Sequence, residues 1–104
     1  MKPVRFLGSS QSDLKEFPAN ARRMAGYQLS RLQQGVEPTD WKPMPSVGKG
    51  VYEIRIHEEC EFRVFYVTKH ADAIFVLHAF RKKTQQTRKA DIELGKQRLK
   101  ELGG

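Results

Sequence analysis

The sequence has a single cysteine, no long apolar run and no glycine-rich phosphate loop, and each absence excludes a class of protein. Cys60 alone cannot form an internal disulfide, which argues against a disulfide-stabilised secreted scaffold and fits a reducing compartment. No segment approaches the ~20 apolar residues of a membrane span, and the first ten residues lack the apolar run of a signal peptide. We therefore expect a cytoplasmic protein with no membrane partner.

Signatures of metal and cofactor binding are also missing. The histidines at positions 57, 70 and 78 have no zinc-ligand spacing with Cys60. A Rossmann fingerprint and a Ser-His-Asp motif are absent too. The sequence predicts neither a metal site nor a cofactor. Its 104 residues, without repeats or linkers, predict one domain spanning 1–104.

Positive charge is abundant and unevenly distributed. The net charge is +7, which indicates a polyanionic partner, either nucleic acid or an acidic protein. Between residues 81 and 100 there are eight Lys or Arg against two Asp or Glu. Most of the excess positive charge therefore lies in this C-terminal segment.

The central part of the chain predicts three antiparallel strands at residues 51–57, 62–68 and 73–80. Short polar segments at 58–61 and 69–72 are expected to form the hairpin loops. Since side chains alternate along a strand, Arg55 and His57 share one face of the first strand with Glu53, and Arg63 shares this face from the second. We expect this polar face to bind an anion; its simpler interpretation is the solvated side of a one-sided sheet.

The flanking segments predict the helices. Residues 4–7 suggest a short edge strand, and a capping box that begins at Ser10 predicts a short helix ending near Phe17. A second helix begins at Pro18, follows an apolar stripe that ends with Val36, and is followed by an irregular segment at 37–50. A basic C-terminal helix is expected near the sheet edge. The predicted fold class is α+β: a small twisted antiparallel sheet, formed by the N-terminal strand and the three-strand meander, with two N-terminal helices on one face and a C-terminal helix.

Four strings in this order resemble one known family: DWKPM from residue 40, GVYEIR from 50, FRVFY from 62 and LHAFRKKT from 77. The sequence resembles the phage-derived, HigB-like branch of the RelE/ParE toxin superfamily over essentially its whole length. The resemblance implies a toxin of a type II toxin–antitoxin system that cleaves mRNA on the ribosome. It also implies a cognate antitoxin, expected to be a small helix-turn-helix protein.

The resemblance and the residue chemistry together give the candidate site. Arg63 matches the arginine that the ribosome-dependent nucleases use near the scissile phosphate, and Arg55 falls at one of two strand-lysine positions in that family. Glu53 falls at the other, so the general acid and base remain open among Glu53, His57 and His78, with histidine favoured because its ordinary pKa of ~6.5 suits proton transfer. The predicted catalytic residues are Arg63, Arg55, His78 and Lys82. The predicted RNA-binding residues are Lys83, Arg81, Arg88, Lys89 and His57.

Two other functions remain open. One is a ParE-like gyrase poison without enzymatic activity, and the other is an inactive relative that binds only RNA or its antitoxin. The strand arginine and the His-x-Phe-x-Lys-Lys string favour the nuclease. For that function we expect Arg63→Ala to abolish toxicity while hardly changing stability.

Overall fold

The computed structural model describes residues 1–68 and 72–103. In these residues one five-stranded sheet, in the order β1-β5-β4-β3-β2, lies among three helices. The elements follow one another as β1 Val4–Phe6, α1 Ser10–Lys15, α2 Ala19–Gln33, β2 Trp41–Pro43, β3 Val51–Glu58, β4 Cys60–Val67, β5 Ile74–Lys82 and α3 Lys89–Glu101. The predicted α+β class, with two N-terminal helices and one C-terminal helix, is confirmed.

The meander of β3, β4 and β5 is antiparallel, as expected, but its first turn is tighter than the sequence suggested. Glu58 and Cys60 are paired, and only Glu59 lies between the strands, with a φ of 63°. The predicted loop at 58–61 is therefore wrong, and Cys60 begins a strand. Most of the other predicted loop, at 69–72, lies outside the described residues.

Both edges of the sheet differ from the prediction. The N-terminal strand β1 runs parallel to β5, with Val4 opposite Ile74. The segment 37–50 was expected to be irregular, yet it contains β2, in which Trp41 pairs with Ile54. Proline is tolerated in an edge strand because the missing N–H can face solvent, so Pro43 does not prevent this pairing.

The first face of the sheet packs against α1 and α2. Ala21 and Ala25 are fully buried there, since small side chains let α2 lie close to the strands. The apolar stripe predicted for the second helix extends too far, because α2 ends at Gln33 and Val36 is exposed. The predicted capping box is also wrong: Ser10 is buried inside α1, and its hydroxyl donates to the Val76 carbonyl.

The second face is covered in part by α3. This helix lies over β4 and β5, because Gly95 has no side chain and lets α3 approach the ring of Phe65. Leu99 adds apolar contacts to the same cluster. Arg98 is buried, and its guanidinium donates to the Leu77 carbonyl and to the Ser9 hydroxyl. One of the C-terminal cations is therefore part of the packing.

Among residues 1–68 and 72–103, no helix is both long enough and apolar enough to cross a bilayer.

Candidate functional site

Strand register arranges the charged residues of the second face in rows. Paired residues of neighbouring strands point to the same face, so His57, Glu61 and Lys82 form a first row across β3, β4 and β5. Arg55 and Arg63 form a second row, completed by Phe80. The third row runs from Lys42 in β2 through Glu53 and Phe65 to His78.

We use the name polar face for the charged part of these rows that α3 does not cover. It consists of Lys42, Glu53, Arg55, His57, Glu61, Arg63 and Lys82. The predicted clustering of Arg55 and Arg63 is thus present, because the β3–β4 register places them opposite each other.

Arg63 lies at the centre of the polar face and is buried, with 2% of its surface exposed. Its Nε lies 3.3 Å from Glu53 Oε1, and its Nη1 donates to Glu61 Oε1 at 3.0 Å and to the Phe62 carbonyl. Glu53 is buried as well. Removing one partner of a buried ion pair leaves an uncompensated charge, so Arg63 contributes to the fold as well as to the face.

Several buried polar atoms of the polar face have no hydrogen-bond partner within residues 1–68 and 72–103. They are Glu53 Oε2, Arg55 Nε and Arg63 Nε. Arg55 Nε lies 4.0 Å from Asp40 Oδ1, which is an ion-pair distance without a hydrogen bond. Buried donors without acceptors are costly and uncommon in proteins. Arg63 Nε keeps its ion pair with Glu53, so Arg55 Nε is the less satisfied of these two guanidinium donors.

His57 is held between two carboxylates. Its Nδ1 lies 2.7 Å from Glu61 Oε2 and its Nε2 lies 2.6 Å from Asp40 Oδ2. Carboxylates only accept hydrogen bonds, so the imidazolium, with an N–H on both nitrogens, fits this geometry best. The hydrogen bond with Glu61, and then that with Asp40, raises the pKa of His57 above its ordinary value. The side chain is half exposed, but both of its N–H groups are bound, so a ligand can take a proton only by displacing one of the two carboxylates.

The environment of Lys82 is more positively charged than that of His57. Burial, followed by the positive charge of Arg63, lowers the pKa of the Lys82 amine, and Glu53 partly opposes this effect. Among the described residues, no carboxylate lies within ion-pair distance of its amine. Lys82 also lines an open groove with Lys42 and with residues 85–87 of the segment before α3.

His78 lies in a different environment, although the third row places it on the same sheet face. It is buried, its Nε2 lies 2.8 Å from Asp91 Oδ1 in α3, and its ring stacks on Phe80. Burial lowers the pKa of His78, and the hydrogen bond to Asp91 partly opposes this. The contact ties the start of α3 to β5. Its catalytic role remains a prediction, and this geometry favours an anchoring role instead.

The remaining predicted RNA-binding residues do not join the polar face. Arg81 is paired with Phe62 and therefore points to the first face of the sheet. Lys83 follows the end of β5 and is exposed. Arg88 and Lys89 are exposed at the start of α3, where Arg88 Nε lies 3.5 Å from Asp91. These exposed cations therefore lie apart from the Arg55–Arg63 pair.

Sequence reasoning missed Asp40 and Glu61, the two carboxylates that hold His57. Asp40 was placed in an irregular segment and Glu61 in a loop. An edge-strand interpretation of Trp41–Pro43 would have brought Asp40 next to β3, where its carbonyl accepts the Arg55 N–H. A shorter hairpin would have placed Glu61 opposite His57. Within the described part of the chain, no group of three His, Cys, Asp or Glu is arranged to hold a metal ion.

Comparison with known proteins connects this arrangement to one family. No curated protein is significantly similar to the chain. The family model described as "Phage derived protein Gp49-like (DUF891)" matches residues 12–100, which include the whole polar face. The chain therefore belongs to the Gp49-like family of phage-derived proteins, which are toxins of RelE-like type from toxin–antitoxin systems.

Proposed function

We propose that this protein is a HigB-like toxin that cleaves mRNA on the ribosome without a metal ion and so stops translation. The observation that carries the proposal is the pair of guanidinium groups at Arg55 and Arg63, whose Nε donors have no hydrogen-bond acceptor in residues 1–68 and 72–103. A phosphate diester has two non-bridging oxygens, and arginine matches them by its planar fork. We infer that the scissile phosphate binds between these side chains and Lys82.

RNA supplies its own nucleophile, the 2′-hydroxyl, so the protein needs to align it, accept its proton, stabilise the phosphorane charge and protonate the leaving oxygen. We assign the last step to His57, because its carboxylate partners favour the imidazolium that a general acid requires. The substrate displaces Glu61 from His57 Nδ1, while Asp40 stays on Nε2. The 2′-oxygen then forms a bond to phosphorus, the P–O5′ bond breaks, and the Nδ1 proton passes to the 5′-oxygen. The products are a 2′,3′-cyclic phosphate and a 5′-hydroxyl.

We assign the proton acceptor to Lys82, because burial and the charge of Arg63 lower its pKa and make the neutral amine more accessible. His57 and Lys82 are at the two ends of the first row, separated by two strand spacings, or about 9 to 10 Å between backbones. We infer that the acid and the base act from opposite sides of a phosphate bound in the second row. Such a disposition suits in-line displacement.

Glu53 and Glu61 have a different part in this mechanism. They hold Arg63 at the centre of the face, and Glu61 also orients His57. The phosphate must compete with the more exposed Glu61 for the guanidinium, whereas Glu53 remains buried beneath it. We infer that binding energy from ribosomal RNA, gathered by the exposed cations Lys83, Arg88 and Lys89, offsets this competition.

The test is cleavage of ribosome-bound mRNA by the purified protein. We expect cuts at codons in frame, a 2′,3′-cyclic phosphate or 3′-phosphate upstream of each cut, and no reaction when the target nucleotide lacks its 2′-hydroxyl. EDTA should not stop cleavage if enough magnesium remains to keep the ribosomes intact. A 5′-phosphate product or undiminished cleavage of the 2′-deoxy substrate would contradict the mechanism.

One observation favours a second function. Arg63 is paired with Glu53 and Glu61 and is almost fully buried, as a structural ion pair would be. A ParE-like protein that poisons gyrase without catalysis would need no accessible arginine here. Induced expression would then cause double-strand DNA breaks and leave mRNA intact, whereas the nuclease should stop translation without DNA breaks.

The partner implied by the toxin–antitoxin family is a cognate antitoxin, which we propose to be a small helix-turn-helix protein acting in the cytoplasm. A surface of charge +7 that docks on RNA is most simply silenced by competing negative charge. We therefore expect the antitoxin to place an acidic or amphipathic segment on the polar face or α3. Its binding should weaken the toxin's affinity for ribosomes.

A further inference from the structure

A polar side chain lies buried on the apolar side of α2. Gln28 is 2% exposed, among residues that otherwise pack against the first face of the sheet. A buried amide costs free energy unless its hydrogen bonds are satisfied, and an apolar residue of similar volume would avoid this cost. We therefore expect the buried amide of Gln28 to have hydrogen-bond partners, which an apolar residue at this position could not bind.

That partner is Thr39, in the segment that leads into β2. Gln28 Nε2 donates to Thr39 Oγ1 at 2.6 Å, and the Thr39 backbone N–H donates to Gln28 Oε1 at 2.9 Å. These two bonds fix both the side chain and the backbone of Thr39. They hold the chain in place where no helix or strand does, since β2 begins only at Trp41.

The residue fixed next in the chain is Asp40. Its carbonyl accepts the backbone N–H of Arg55, and its carboxylate lies 2.6 Å from His57 Nε2 and 4.0 Å from Arg55 Nε. Gln28, Asp40, Arg55 and His57 line the same small crevice between α2 and the edge of β3. The buried amide and the half-exposed ion pair are therefore linked through a single residue, Thr39.

We propose that Gln28 is a positioning residue: through Thr39 it holds the Asp40 carboxylate against His57 and Arg55. The role of the positioned histidine as general acid rests on the proposed nuclease function, whereas the positioning itself does not. A carboxylate held in place by buried bonds can fix the ring orientation of a histidine better than a carboxylate on a free loop. Without the two bonds between Gln28 and Thr39, the segment before β2 has fewer contacts and Asp40 is free to turn to solvent.

The charged groups around His57 determine how its pKa would respond to a movement of Asp40. Asp40 and Glu61 face its two ring nitrogens from opposite sides, and Arg55 and Glu58 of β3 lie along the same crevice. From α2, the crevice receives Met24 and Gln28, which are neutral. A change at Gln28 therefore alters no charge near His57, and any change in the pKa of His57 must come from movement of Asp40.

The experiment compares Gln28→Met with Met24→Leu. The first keeps the volume of the side chain and removes the amide. The second removes the Met24 sulfur, to which Gln28 Nε2 also donates at 3.5 Å, and leaves both bonds to Thr39 in place. Imidazole resonances are followed by NMR as the pH is varied, with His57→Gln to assign the signal. We expect the pKa of His57 to fall toward the ordinary histidine value in Gln28→Met and to stay unchanged in Met24→Leu. Thr39→Val, at an exposed position, removes the hydroxyl alone and should give a smaller fall even if Gln28→Met does not fold.

A cleavage assay on the same variants separates the two proposals. If His57 is the acid, Gln28→Met should lower cleavage about ten- to a hundredfold and move the alkaline limit of the pH profile downward, because the acid loses its proton at lower pH. A wild-type protein that cleaves no mRNA, together with the expected fall in the pKa of His57, would contradict the nuclease and support the positioning role. A folded Gln28→Met or Thr39→Val whose His57 pKa is unchanged would overturn the positioning role.

Discussion

The open and covered parts of one sheet face use similar residues for opposite purposes. At the open end, His57 lies half exposed between Asp40 and Glu61, and its pKa is raised. At the covered end, His78 lies beneath α3 against the single carboxylate of Asp91, and its pKa is lowered by burial. Both are histidine–carboxylate pairs, so the helix overhead decides which one can exchange protons with a ligand and which one anchors the fold.

The largest effect is expected at the boundary between these parts. Arg63→Ala should lower the free energy of unfolding by about 3 to 5 kcal/mol, because it leaves Glu53 buried and unpaired. This replaces the sequence-based expectation of unchanged stability, which assumed an exposed arginine. Denaturant unfolding measures the loss.

Two variants provide controls for this measurement. Arg55→Ala, at the paired but partly exposed position, should cost less than about 1 kcal/mol. The double variant Arg63→Met, Glu53→Leu should regain most of the stability, since removing both charges removes the unpaired one. A double variant as unstable as Arg63→Ala would show that the ion pair is not the cause. Arg63→Ala variants that unfold cannot be used to argue for catalysis.

The next effect concerns activity and compares the two histidines directly. His57→Gln should reduce mRNA cleavage by about 10²- to 10⁴-fold, the usual contribution of a general acid. His78→Gln should leave the rate of the folded protein within a few-fold of wild type, because His78 is beneath α3. Single-turnover cleavage at several pH values measures both. The opposite ranking would restore His78 to the catalytic role that the sequence suggested.

A smaller effect is expected in the pH dependence of stability. The raised pKa of His57 gives stability that is present below the unfolded value of ~6.5 and is lost as pH rises through the folded pKa. The lowered pKa of His78 has the opposite effect on stability. Below pH ~6.5 the unfolded chain binds a proton that the folded chain does not, so the free energy of unfolding decreases as the pH is lowered. His57→Gln should therefore reduce the loss of stability as the pH rises above ~6.5, and His78→Gln should reduce the loss as the pH falls below ~6.5. Melting temperatures from pH 5 to 8.5 test this, and equal responses of the two variants would contradict it.

The smallest effect is expected outside both regions. Lys83→Gln removes an exposed charge after β5, so ribosome affinity should fall modestly and the slope of log K against log salt should change by about 0.7 to 0.9 per lost phosphate contact. Stability should stay within about 0.5 kcal/mol of wild type. Arg5→Gln, an exposed position in β1, is the matched control and should change neither quantity. An unchanged salt slope for Lys83→Gln would remove this residue from the RNA interface.

The features that could be predicted are those that depend on the alternation of side chains along a strand. It placed Arg55, His57 and Arg63 on one face and identified the α+β class. It could not predict that α3 would cover His78, because that depends on the close approach at Gly95 and on the bond to Asp91, which is 13 positions away in the chain. The carboxylates of Asp40 and Glu61 were missed because local turn signals gave the wrong ends for β3, β4 and the edge strand. The burial of Arg63 depends on neighbours from several strands, which no local pattern records.

The parallel pairing of β1 with β5 also has a consequence for the order of folding. Val4 meets Ile74 only after about 70 residues have intervened, whereas β3, β4 and β5 form from neighbours in sequence. Closing a long loop costs entropy before its contacts stabilise it, so local hairpins form first. During synthesis, β1 must wait for β5 to emerge, and the histidine–aspartate tie of α3 must wait longer still. We expect the meander to be the folding nucleus, with β1 docking on β5 next and α3 docking last, so that a nascent chain of this toxin has no complete fold until nearly all of it has left the ribosome.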